Sequence, residues 1–192
     1  MDSFLKFIND IHPLPEETLK KFLSLAKVKS YKSGDYLCEI DIVNNKLFFV
    51  IDGITRTYMK TSPDAQEINK SITAPGQIAG SLKSAIDKSP ALIACQALTD
   101  VVVVEITVED LASLRKQFPD FSEFMYKTVE REYTRLEESL IDLLSKNATE
   151  RYLILRKNIK NIDQLIPQFQ IASHLGITPI QLSRIRKKLL RE

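Results

Sequence analysis

The chain has 192 residues, 44% of them apolar and 27% charged, with a net charge of +2. Five glycines and eight prolines are too few for a fibrous or low-complexity chain, so one or two ordinary folded domains are expected. No apolar run approaches the roughly 18–20 residues of a membrane helix, and residues 1–12 lack the basic-then-apolar order of a secretory leader, which points to the cytoplasm. Cys38 and Cys95 are too few for a disulfide scaffold and show no metal-ligand spacing, so both are expected reduced and no metal is expected. His12 and His174 leave little material for an enzyme, and no nucleophile–base pair, metal motif or phosphate loop is visible. The charge is unevenly placed. Residues 1–144 carry 17 basic against 22 acidic side chains, whereas residues 145–192 carry 10 against 3. A basic C-terminal module for a polyanion, joined to a part with another task, fits that split, and a solvated basic tail is the alternative.

In chain order, Pro15 to Ala26 opens with Pro and two carboxylates and repeats apolar residues at Leu19, Phe22, Leu23 and Ala26, predicting a short amphipathic helix. Ser33-Gly34-Asp35 is a turn. Leu47–Ile51 and Ile54–Met59 read as strands, and the Asp52-Gly53 between them predicts a hairpin. Ser62-Pro63-Asp64 marks another turn, and Pro75-Gly76 and Gly80 bracket a loop. Ala91–Leu98 and Val101–Ile106 are further strands. Many short strands without long helices between them imply a roll or barrel.

At Thr107 the pattern becomes helical, with Thr107 as N-cap and a stop at Phe118-Pro119. A long helix is predicted from Asp120, with Glu123 as its capping-box partner. Tyr126, Val129, Tyr133, Leu136, Leu140, Leu143 and Asn147 follow at alternating spacings of 3 and 4, a seam of about three heptads with charged flanks. We read the first six as a dimer interface; the alternative is a helix packed along its own domain. A break is expected near Asn147.

The most specific pattern is Gln168 to Arg191. With Gln168 as position 1 of a helix-turn-helix, the small residue at position 5 is Ala172 and the turn glycine at position 9 is Gly176. The buried positions 4, 8, 10, 15 and 18 are Ile171, Leu175, Ile177, Leu182 and Ile185. Pro167 suits the start of the first helix, and Thr178-Pro179-x-Gln181 gives the second an N-cap, a first-turn proline and a capping box. Pro179, Ile180, Gln181 and Arg184 are the candidate base contacts: Arg184 can fork onto guanine, Gln181 onto adenine, and Ile180 can meet a thymine methyl. Gln168, Thr178, Ser183, Lys187 and Lys188 are the candidate DNA-backbone contacts, with Arg186 and Arg191 on the flanks. His174 is expected at the surface or beside DNA.

A roll, a long helix and a helix-turn-helix in this order resemble the Crp–Fnr family of bacterial transcription regulators. Its most specific parts are residues 172–179 (ASHLGITP), residues 182–188 (LSRIRKK) and Glu150-Arg151-Tyr152 opening the helix before them. The resemblance implies an α+β fold. Residues 1–118 would be a jelly-roll-like sensor domain, 119–147 a dimerisation helix, and 148–192 a helix-turn-helix domain. It also implies a homodimer on a near-palindromic operator in double-stranded DNA, recruiting or blocking RNA polymerase.

The family's cyclic AMP cassette does not carry over. Gly76-Gln77-Ile78-Ala79-Gly80 has Gln77 in place of the ribose-binding Glu and one extra residue, and Lys88 to Leu92 supplies no arginine. A buried cyclic phosphate without a bidentate cation loses its main charge-assisted bonds. Gly76, Gln77, Ile78, Gly80, Ser81 and Ser89 stand as the candidate effector pocket; the roll senses another ligand or is structural. No cofactor is identified. Nothing in Cys38 or Cys95 suits an iron–sulfur cluster. The alternative function is a sensing module without DNA binding. Asn158–Ile166 is short for the β-hairpin of a wing, so a reduced or absent wing is in question.

Overall fold

The computed structural model describes residues 2–62 and 64–190. Two N-terminal helices, α1 (Asp2–Ile11) and α2 (Glu16–Leu25), precede eight strands: β1 (Lys27–Tyr31), β2 (Tyr36–Cys38), β3 (Lys46–Asp52), β4 (Thr55–Met59), β5 (Ile68–Thr73), β6 (Ile78–Ala79), β7 (Ala94–Ala97) and β8 (Val101–Thr107). A short helix α3 (Leu82–Asp87) lies between β6 and β7. The strands form two antiparallel sheets, ordered β1-β8-β3-β6 and β2-β7-β4-β5.

That topology corrects the hairpin expected at Asp52-Gly53. β3 pairs with β8 and β6, and β4 pairs with β5 and β7, so the two strands joined there belong to different sheets. The turn itself forms, with Gly53 at φ +82°. A Cβ at Gly53 would lie 2.2 Å from the Asp100 carbonyl oxygen, so the glycine lets two chain segments touch where the chain crosses between sheets. Turn chemistry predicted the bend; long-range pairing decided its destination.

The apolar run of β3 is continuous because both faces are covered. Phe48 and Val50 point into the roll with Leu37, Cys95, Val101 and Val103. Leu47, Phe49 and Ile51 point outward, where Phe4, Phe7, Phe22, Phe121 and Phe124 from the helices cover them. The ring centroids of Phe7 and Phe49 are 4.4 Å apart. α1, which the sequence reading left unassigned, supplies Phe4, Phe7 and Ile8 to this layer.

After β8, α4 (Val108–Gln117) is capped by Thr107, whose hydroxyl accepts from Asp110 N at 3.0 Å. The long helix α5 (Pro119–Ser145) starts one residue before the predicted point. Phe118 is its N-cap and no side chain caps it, so the Asp120–Glu123 capping box does not form; Pro119 takes the first-turn position instead. The chain then breaks at Lys146, and Asn147 caps α6 (Ala148–Asn158) through a capping box with Glu150. Three helices follow: α7 (Ile162–Leu165), α8 (Gln168–Leu175) and α9 (Pro179–Leu189). Among the described residues, no helix is long and apolar enough to cross a membrane.

Candidate nucleic-acid interface

α8 and α9 meet through the turn that the spacing demanded. Gly176 sits in the left-handed region at φ +67°, and its N–H and that of Ile177 close the end of α8. Ala172 is buried where the helices approach, with Ile171, Leu175 and Leu182 around it. Tyr152 of α6 is fully buried beneath them, and its hydroxyl donates to Asp163 at 2.7 Å. Arg151 donates from Nη2 to the Leu175 carbonyl at 2.9 Å, satisfying an end-of-helix acceptor.

With Leu182 buried and Ile185 and Leu189 packed against the core, α9 turns Pro179, Ile180, Gln181, Arg184, Lys187 and Lys188 to solvent. Ser183 is half-buried on one flank, while Thr178 and Gln168 are exposed. Arg191 lies outside the described residues. Gln181 carries a constraint that the residue type alone does not reveal. Its Oε1 accepts from Thr178 N at 2.8 Å as half of the α9 capping box. Bidentate adenine readout needs that oxygen, so base contact through Gln181 competes with the cap.

His174 departs from expectation. It packs beside Arg151 with Nδ1 sealed from water, and burial first, then the arginine charge, push its pKa down to about 4. The imidazole is therefore neutral near pH 7.

The helix-turn-helix is held against the roll by a polar junction that sequence reasoning missed. Arg56, the second residue of β4, is buried and paired with Glu67 at 2.6 Å. Its guanidinium also donates to Gln96 Oε1 at 2.6 and 3.0 Å, to Asn69 Oδ1 at 3.3 Å and to Gln170 Oε1 on α8 at 3.1 Å. Asn69 Nδ2 donates to both oxygens of Gln170, at 3.0 and 2.7 Å, and the Ser173 hydroxyl accepts from Asn69 N at 3.0 Å. A cleft of about 280 Å³ opens at this junction, lined by Glu67, Phe169, Ile177 and Pro179 among others. The signal available in sequence was an arginine inside a strand, Thr55-Arg56-Thr57, with no partner legible nearby.

The proposed pocket residues are engaged locally. Gln77 Oε1 accepts from Ala74 N at 3.1 Å, and Gly76 N donates to the Val50 carbonyl at 2.9 Å. Ile78 opens the short strand β6 and Gly80 follows it. Ser81 is buried and caps α3, and the Ser89 carbonyl accepts from Ser84 Oγ at 2.6 Å. Cys38 and Cys95 face each other across β2 and β7, both as free thiols. Burial raises both, Cys95 to about 12, which makes them poor nucleophiles.

On α5, Tyr126, Val129, Tyr133, Leu136, Leu140 and Leu143 are each 53–66% exposed. Among the described residues, the buried positions of this helix are Phe121, Phe124 and Thr128, all in its first three turns.

The cyclic nucleotide-binding domain family model matches residues 28–118. No curated protein matches the chain. Among solved structures, FixK2 of Bradyrhizobium japonicum is similar at a TM-score of 0.72 and 18% identity, over 86% of this chain and 85% of that one. The c-di-GMP-responsive global regulator CLP of Xanthomonas campestris gives 0.68 and 17%, over 92% of each chain. The catabolite activator protein of Thermus thermophilus gives 0.55 and 21%, over 94% of this chain and 86% of that one. Residues 28–118 thus resemble the cyclic nucleotide-binding domain family, and nearly the whole chain shares the fold of these three solved structures.

Proposed function

We propose that this chain is a sequence-specific DNA-binding transcription regulator that works as a parallel homodimer. The observation that carries it is α9, a capped helix in a helix-turn-helix whose outward face bears Ile180, Gln181, Arg184, Lys187 and Lys188. A helix so placed enters a major groove with its N-terminal half on base edges and its flanks on phosphates. Pro179, Ile180, Gln181 and Arg184 read bases; Gln168, Thr178, Ser183, Lys187 and Lys188 hold the backbone. The exposed apolar row on α5 supplies the twofold interface, because a monomer would leave it in water. Two of the similar structures are a global regulator and a catabolite activator, in keeping with this reading.

In this reading residues 1–118 form the sensor-type roll, 119–147 the dimer helix and 148–192 the reader. The protein is not an enzyme; it acts in the cytoplasm, with RNA polymerase as a downstream partner. Cyclic AMP is not its effector, since Gln77 spends its oxygen on the backbone and the loop after α3 brings no arginine.

Selection of bound duplexes from a random pool tests the function. An inverted repeat with half-sites about one helical turn apart is the expected product. Enrichment of no symmetric motif would favour a sensing module that does not read DNA.

A further inference from the structure

α8 is gripped at two points along the free edge of a sheet. β5 is the outermost strand of its sheet, so backbone groups on its far side are open to a neighbour. Asn69 N donates to the Ser173 hydroxyl at 3.0 Å, and that hydroxyl donates onward to the Glu67 carbonyl at 3.3 Å. One turn earlier on α8, Gln170 is buried, and its Oε1 accepts from Arg56 at 3.1 Å and from Asn69 Nδ2 at 2.7 Å. Gln170 and Ser173 are three residues apart, so they lie on one face of the helix.

These bonds constrain the reader in a way that its other ties do not. Apolar contact, such as the cluster that joins Ile54 and Ile72 to Ile171, holds surfaces together without fixing their register. A hydrogen bond tolerates shifts of only a few tenths of an ångström and a limited range of angle. The covalent link is looser still. Between α5 and α6 lie two extended residues, Lys146 (φ −111°, ψ 143°) and Asn147 (φ −74°, ψ 170°), the kind of helix-end pair about which a hinge turns. The polar side chains there bond back into α5, Ser145 to the Ile141 carbonyl at 2.7 Å and Lys146 to Asp142. Among the described residues, the stretch from α6 to α8 carries α7 and no strand, so no winged hairpin helps to seat the reader.

We infer that Gln170 and Ser173, held by Arg56, Asn69 and Glu67, set the spacing between half-sites that the dimer accepts; the inference rests on the DNA-binding dimer proposed above. α9 moves with α8 as one body, because Ala172, Leu175 and Leu182 belong to one core around the Gly176 turn. One extra base pair between half-sites shifts the second by about 3.4 Å along the duplex and turns it by about 35°. A reader latched to its roll by directional bonds cannot follow that step, whereas a reader hinged only at Lys146 and Asn147 can. The five latch residues are positioning residues; the bases read within each half-site are left to α9.

The test is a binding panel for the full-length protein on its selected inverted repeat, with the spacer at its selected length and then one base pair shorter or longer. Gln170→Ala with Ser173→Ala opens the latch from the α8 side while Arg56 keeps Glu67, Gln96 and Asn69, and alanine suits a helix interior. The ratio of affinities, selected spacer over altered spacer, should fall by about tenfold in the double variant, with the preferred bases of each half-site unchanged. Ser173→Ala alone removes a single hydroxyl and carries the same test if the double variant does not fold; its ratio should fall by about threefold. A wild-type ratio in a folded variant overturns the inference, even where affinity drops on every duplex, since the latch would then be structural only. Altered base preference at an unchanged spacing ratio overturns it equally, and so does a wild type that accepts all three spacers alike. Enrichment of no symmetric motif in the selection would instead remove the DNA-reading dimer on which it rests.

Discussion

Arg56 in the roll and Gln170 in the first helix of the helix-turn-helix are joined by a 3.1 Å hydrogen bond at the centre of a buried polar junction. The two residues are 114 positions apart, and Asn69 bonds to both. A buried cation is tolerated there because every face of its guanidinium has a partner: Glu67, Gln96, Asn69, Gln170 and the Tyr58 ring, 4.2 Å below. Removing the arginine while Glu67 stays is therefore costly. Arg56→Met should destabilise the protein by about 3–5 kcal/mol in urea unfolding. Arg56→Lys should recover only part of that, since a point charge cannot serve four acceptors at once. A loss near zero for Arg56→Met would mean that the junction contributes nothing net to stability.

The exposed row on α5 gives a test of assembly. Leu136→Asp combined with Leu140→Asp places two carboxylates in the seam and should yield a monomer in sedimentation velocity, with the fold retained. A wild type already monomeric at tens of micromolar, by order of magnitude, would defeat the dimer reading.

Calorimetry and thermal melts decide the matter of cyclic AMP. A ligand present at 100 times its dissociation constant stabilises by about 2.7 kcal/mol. At millimolar order cyclic AMP should produce no shift in melting temperature and no heat of binding. Saturable binding at micromolar order would show that a lysine of this region, Lys83 or Lys88, does the work of the missing arginine.

Arg184 and Lys187 should separate reading from holding. Arg184→Ala should cost about 1–3 kcal/mol per half-site and relax the preference at one base pair. Lys187→Ala should weaken all duplexes alike and lower the salt slope by about one unit. Gln181→Ala has two effects to disentangle, because its oxygen also caps α9. Removing a cap costs helix stability by about 1 kcal/mol, so its melt should move as well as its binding profile. An Arg184→Ala profile identical to wild type would take α9 out of the groove.

His174 makes stability depend on pH with a defined sign. Its folded pKa of about 4 lies below the ordinary value of 6.5, so the unfolded chain takes up a proton that the folded chain refuses. The stabilisation is complete above about pH 6.5 and is lost as pH falls from there toward 4, by at most about 3 kcal/mol. His174→Gln should flatten that part of the stability profile. An unchanged acid limb in the variant would assign the loss to other groups.

What the sequence made legible was local. Ala172, Gly176 and Leu182 announce the helix-turn-helix because steric demands between adjacent helices fix the residue type at each position. Asn147 with Thr149 announces a break and a new helix start, because their side chains favour caps over helix interiors; the capping box with Glu150 emerged only in the fold. The Asp52-Gly53 turn was readable as a bend, but which sheet each flanking strand would join depends on β8 and β7, about 50 residues away. Arg56 was unreadable as a junction because its partners are scattered from Glu67 to Gln170. His174 looked solvent-facing because helical spacing alone does not show that Arg151 and α6 close over it.

The apolar core beneath α8 and α9 is not made by the C-terminal helices alone. Ile54, Ile72 and Ala74 of the roll belong to the same buried cluster as Tyr152, Ile171, Ala172 and Leu182. A reader of this kind cannot be moved between sensors as a cassette. Joined at residue 147 to a foreign roll, its four helices would meet a floor with other contours and lack the aliphatic groups that complete their packing. Recombination within such a lineage would be tolerated only where the β4–β5 surface travels with the helices that rest on it, so these two stretches of chain, distant in sequence, are expected to be inherited as one unit.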